Sequence, residues 1–194
     1  MGTNRLEAFS DGVMAVAITI MVLELKVPEG TAIGDLLALA PKFLSYILSF
    51  IYVGIYWSNH HNLMHAAGKV NGAILLANLH LLFWLSLIPF ATAWMGEHHL
   101  APLPTAVYGV VLLMCATAWY ILQAAIIRQQ GPDSPLKKAV GKDLKGNFSA
   151  AAYIVAIVSA FWLPTLSACL YALVALVWIV PDRRFGRVLK EELS

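Results

Sequence analysis

The stretch RLEAFSDGVMAVAITIMVLELK, residues 5–26, is an apolar run entered through a polar segment. Residues 6–26 have the length of about 20 residues that a helix needs to cross a hydrocarbon core, and the breaker Val27-Pro28-Glu29-Gly30 closes the run. Ser10, Asp11 and Gly12 interrupt the approach to it, and no small-residue cleavage pattern follows. The segment therefore reads as a retained helix and not as a cleaved signal.

The rest of the chain has the same character. Of 194 residues, 60% are hydrophobic and 12% charged, with a mean hydropathy of +0.73, against about 25% charged residues in an average soluble protein. Further spans are expected at about 41–60, 73–94, 104–127, 148–163 and 165–180. The last two come from one long apolar stretch that Pro164 divides. The whole chain is thus expected to be a single all-α membrane domain of six transmembrane helices, with no soluble domain beside them. Cys115 and Cys169 both fall in apolar stretches, where a thiol behaves as a small hydrophobe.

With the N-terminus inside, one side of the membrane holds Arg5, Lys69, Arg128, Lys137, Lys138, Lys142, Lys145, Arg183, Arg184, Arg187 and Lys190, and the other holds Lys26 and Lys42. That imbalance predicts cytoplasmic N- and C-termini. No internal repeat is evident, so a symmetric pathway requires several copies of the chain. Ala152, Ala156 and Ala160 recur every four residues along the fifth span. Such a pattern suits close helix packing, within one subunit or between subunits.

The first span is the least suited to lipid, because Arg5, Ser10, Asp11, Thr19 and Glu24 lie within or beside it. A charged Asp costs about 2.5–3.5 kcal/mol at a helix centre on insertion scales, so Asp11 is expected to face protein or water. At about 100° per residue, Val16, Ile20 and Leu23 share one stripe with Thr19 at its edge, and Asp11 points about 140° from Val16. Spacing alone leaves the stripe open to two readings, ordinary packing or a set of hydrophobic rings that gate by dewetting. Glu24 likewise reads as a marker of the outer end of the span or as a carboxylate that draws cations to a mouth.

Arg5, Phe9, Ser10 and Asp11 form an Arg-x-x-x-Phe-Ser-Asp pattern opening the first span. It resembles the signature of the transmembrane protein 175 family, the lysosomal and prokaryotic potassium channels. Tyr56-Trp57-Ser58-Asn59-His60-His61 and Ser86-Leu87-Ile88-Pro89-Phe90 also look familial. The resemblance implies a potassium-permeable cation channel of the prokaryotic cell membrane, lacking the Thr-Val-Gly-Tyr-Gly carbonyl filter, a motif absent from this sequence. It further implies that the first helix lines a central pore in a homotetramer, with constrictions at Val16, Ile20 and Leu23 and polar oxygen from Thr19. Arg5, Ser10 and Asp11 would hold that helix through partners among Trp57, Asn59, His60 and His61. With no sensor domain in view, a leak channel is the default.

The rival function is a proton-coupled or ion-coupled secondary transporter using Asp11. Against it stand the position of Asp11 near one end of its span and the lack of broken helices in matched halves. No paired carboxylates and no nucleophile with its base are in evidence, so no enzyme is expected. His61 and His65 have the i, i+4 spacing of a helical chelate, but no third ligand is identifiable and no His-Glu-x-x-His motif occurs. The sequence therefore assigns no metal, no cofactor beyond the permeant potassium ion, and no nucleic-acid partner. The lipid bilayer, further copies of the chain and monovalent cations remain.

Overall fold

A computed structural model of the protein describes residues 2–131, 133–141 and 143–179. Lys142, Arg183, Arg184, Arg187 and Lys190, which carry part of the orientation argument, lie outside the described residues, as does the last residue of the sixth expected span. Among the described residues the regular structure is helical: α1 (Thr3–Leu23), α2 (Ile33–Leu37), α3 (Ala40–Ala67), α4 (Gly72–Ser86), α5 (Ile88–Glu97), α6 (Pro102–Gln130), α7 (Pro135–Val140), α8 (Leu144–Ser159) and α9 (Pro164–Ile179).

By length and composition α1, the α4–α5 pair and α6 are long and apolar enough to cross a membrane. Large apolar side chains such as Leu44, Leu76, Phe83, Phe90, Trp162 and Leu176 stand exposed around the bundle. A water-soluble surface does not tolerate so much contiguous apolar area. The chain is a multi-pass membrane protein.

The expected third span, 73–94, falls on the α4–α5 pair. It is broken into two helices that meet at Leu87, because Pro89 has no N–H for the Leu85 carbonyl and its ring crowds that carbonyl. The Leu87 N–H turns back to the Trp84 carbonyl at 3.2 Å in a tighter turn before α5 begins. The second helix also outruns its expected bounds of 41–60, continuing to Ala67 and ending at Gly68, whose φ of +66° suits a residue without a Cβ. Two of the segments between the expected spans carry short helices. In α2, Asp35 accepts the Ala32 N–H at 3.0 Å. In α7, the Ser134 hydroxyl accepts the Lys137 N–H at 3.2 Å.

Both ends of the bundle are tied across helices. At one end Glu97 pairs with Lys42 at 3.1 Å and with Lys26 at 3.7 Å. At the other, Gln129 donates to the Lys69 carbonyl at 3.1 Å and Gln130 donates to the Ala66 carbonyl. The interior between them holds buried hydroxyls, several of which find partners in the protein, as a water-poor setting demands, while the Thr105 hydroxyl has none among the described residues. Thr92 donates to the Ser49 hydroxyl at 2.6 Å, which meets Tyr108 at 2.9 Å. Tyr52 donates to the Tyr171 carbonyl at 2.6 Å, and Tyr171 donates to the Thr105 carbonyl at 3.0 Å.

Helices α6, α8 and α9 close on one another through small residues. Ala152, Ala156 and Ala160 are all buried within the subunit, and the Ser167 hydroxyl donates to the Ala156 carbonyl at 2.7 Å. This places the alanine repeat in intrasubunit packing. Gly109 of α6 sits where a Cβ would collide with the Tyr171 hydroxyl and the Ile157 side chain. Gly109→Ala is therefore expected to destabilise the bundle by about 1–3 kcal/mol through overpacking, read as a lowered Tm of the purified protein in detergent.

Candidate functional site

Helix α1 presents two faces. Leu6, Ser10, Met14, Ala17 and Met21 are buried against the rest of the bundle, and α1 packs there on α3, α4 and α5. The opposite face is uncovered: Phe9 is 54% exposed, Val16 54%, Ile20 42% and Leu23 79%. In helical projection Arg5, Phe9, Gly12, Val16, Thr19, Ile20 and Leu23 all fall within about 60° of Arg5. One unbroken stripe thus runs from the polar entry to the last helical residue.

Thr19 donates its hydroxyl back to the Val16 and Ala15 carbonyls at 2.9 and 3.1 Å, leaving its oxygen lone pairs free on the exposed side. Glu24 follows immediately as the exposed C-terminal cap of α1. Beside the stripe lies a groove of about 480 Å³, lined by Phe9, Gly12, Val16 and Ile20 on one wall and by Ser86 and Pro89 on the other. The break in the third span forms that second wall.

The polar start of α1 is held by α3 and α4. Ser10 donates to the Leu6 carbonyl at 2.8 Å and accepts from the Asn78 amide at 2.9 Å. The Asn78 carbonyl oxygen takes the His60 Nε2–H at 2.7 Å, so His60 carries its proton on that nitrogen. All three side chains are buried, at 0%, 0% and 1% exposure for Ser10, Asn78 and His60. A second link joins Glu7 Oε1 to His61 Nδ1 at 2.5 Å, and His65 stacks edge-on against His61 with ring centroids 4.5 Å apart.

The sequence-derived partners divide accordingly. His60 reaches Ser10 only through Asn78 and His61 bonds Glu7, whereas Trp57 is 52% exposed and Asn59 lines a separate cavity with Trp119 and Asp143. Arg5 is exposed at the helix entry. Asp11 lies on the flank, with Oδ1 buried and unpartnered by protein, as is His60 Nδ1. The two residues sequence reasoning missed are Asn78 and Glu7. Asn78 carried a usable signal, being an amide in the apolar run Ala73–His80 that has to find partners once buried.

Comparison with known proteins follows the same residues. The family model described as "Endosomal/lysosomal potassium channel TMEM175" matches residues 5–89, the segment that contains every member of the Ser10–Asn78–His60 chain. A potassium channel of Chryseobacterium sp. (strain P1-3) is 54% identical over 191 residues, covering 98% of this chain and 100% of that protein. The human endosomal/lysosomal proton channel TMEM175 is 34% identical over 103 residues, 47% of this chain and 20% of that protein. The crystal structure of a lysosomal potassium-selective channel TMEM175 homolog from Chamaesiphon minutus superposes with a TM-score of 0.80 at 29% identity, covering 93% of this chain and 97% of that one.

Asn78→Leu removes the group that joins Ser10 to His60 and orphans the buried His60 N–H. The expected loss is about 1–3 kcal/mol, measured as a lowered Tm in detergent, while Trp57→Ala on the exposed surface should change stability by no more than about 0.5 kcal/mol.

Proposed function

Since the chain belongs to the TMEM175 channel family, we propose that it conducts potassium across the prokaryotic cell membrane through a pore lined by α1 in a homotetramer of six-span subunits. It is a potassium channel and not an enzyme, in keeping with relatives named as channels. The observation that carries the reading is the division of α1 into a buried face and an exposed apolar stripe on its far side. A single subunit leaves Val16, Ile20 and Leu23 uncovered. Four copies turned inward would bring those residues into stacked rings about one axis.

The chemistry of such rings is dehydration. A cation crossing a ring of aliphatic side chains sheds water, and potassium gives up its shell at lower cost than the smaller sodium ion. Thr19, between Val16 and Ile20, would return some of that loss through its outward lone pairs. Glu24 at the end of the stripe would raise the local cation concentration at the outer mouth, and among the described residues it has no ion-pair partner, unlike Glu97. The groove between α1 and Ser86–Pro89 offers the neighbouring subunit's first helix a place to pack. With no sensor unit among the described residues, the channel acts as a leak.

One observation favours a second reading, proton or ion coupling through Asp11, because its Oδ1 is buried without a protein partner. The break at Leu87 also supplies an interrupted helix, but among the described residues it has no counterpart in a second half, as the sequence expectation has it.

Flux into liposomes under potassium and sodium gradients distinguishes the two. The channel reading predicts passive, uncoupled potassium flux with a reversal potential set by the potassium gradient. Ile20→Ala and Leu23→Ala are expected to raise conductance and erode the preference for potassium without altering the size of the assembly. Saturable flux at a fixed stoichiometry, or unchanged flux in both well-folded variants, would overturn it.

A further inference from the structure

We propose that Glu7, His61 and His65 form a binding site for a divalent transition ion of the zinc class that clips the start of α1 to the end of α3. One ligand atom from each residue lies within 4.8 Å of the others. His61 and His65 stand at i and i+4 on α3, and Glu7 from α1 supplies the third donor that the sequence alone did not place. Zinc takes such donors at about 2.0–2.2 Å, which sets neighbouring ligand atoms about 3.4 Å apart in a tetrahedron. Separations of up to 4.8 Å have to close by up to about 1.4 Å to reach that spacing.

The Glu7–His61 hydrogen bond explains two of these residues but not the third. His65 has no hydrogen-bond partner among the described residues and still turns its ring onto His61. The His61 side chain is 54% exposed and Glu7 16%, so water can fill a fourth position. Glu7 lies about 6 Å along the axis from the first residue of α1, and His65 about 3 Å from the end of α3, depths at which solvent and metal have access. Two imidazoles with one carboxylate select zinc, nickel or copper over magnesium and calcium, which prefer all-oxygen shells. The assignment is independent of which helix lines the pore.

The test uses the untagged full chain in detergent, with Zn²⁺ titrated against a chromophoric competing chelator and Tm followed with Zn²⁺ or Mg²⁺. One Zn²⁺ per subunit and a Tm raised by Zn²⁺ but not by Mg²⁺ are expected. His65→Ala should weaken Zn²⁺ binding at least about tenfold while leaving the metal-free Tm unchanged, since the Glu7–His61 bond survives. The His98→Ala/His99→Ala variant, altered at the opposite end of the bundle, should bind as the parent does. Unchanged Zn²⁺ affinity in His65→Ala, or loss of binding only in the His98→Ala/His99→Ala variant, would overturn the site.

Discussion

A polar side chain removed from water inside a membrane protein must find its partner within the protein, and the Ser10–Asn78–His60 chain is where this protein meets that demand across helices. Apolar packing against lipid-like neighbours sets a helix's rotation only weakly, because hydrocarbon faces protein and lipid at similar cost. Three hydrogen-bonded groups, each almost fully buried, admit one rotation of α1 about its axis. In that rotation Leu6, Met14, Ala17 and Met21 turn inward together with Ser10. The stripe from Phe9 to Leu23 is left outside, so the exposed face is a consequence of the polar lock on the opposite side.

The remaining helices serve that arrangement. The interruption at Leu87 sets Ser86 and Pro89 beside α1, and α5 carries Thr92 to the Ser49 hydroxyl of α3. Further out, Gly109 and the alanines of α8 let α6, α8 and α9 approach closely enough for Tyr171 to reach Thr105. Glu97 ties Lys26 and Lys42 at one end of the bundle, and the Gln129–Lys69 contact ties the other.

Much of this was legible in the sequence because bilayer thickness and the positions of Pro and Gly constrain helices strongly. The first helix and the break at Pro164 follow from those rules. Pro89 was visible too, but the surrounding run is apolar on both sides, so hydropathy treats it as continuous and only backbone hydrogen bonding reveals the kink. The extension of α3 to Ala67 was hidden by His60, His61 and His65, which lower hydropathy without breaking a helix. Pairings across helices, Asn78 with Ser10 and Glu7 with His61, depend on rotations that no local pattern encodes. The motif marked α1 as special; which neighbours hold it became visible only with the packing.

The central claim, that the exposed stripe of α1 faces a conducting pathway, is tested most directly by thiol modification during flux. With Cys115 and Cys169 replaced by Ala, Ile20→Cys, Leu23→Cys and, on the exposed surface of α9, Leu176→Cys are each reconstituted and treated on both sides with a small cationic methanethiosulfonate. The account predicts that modification at positions 20 and 23 blocks potassium flux and that the variant at position 176 conducts as before. Flux untouched at 20 and 23, or blocked equally at 176, would contradict it.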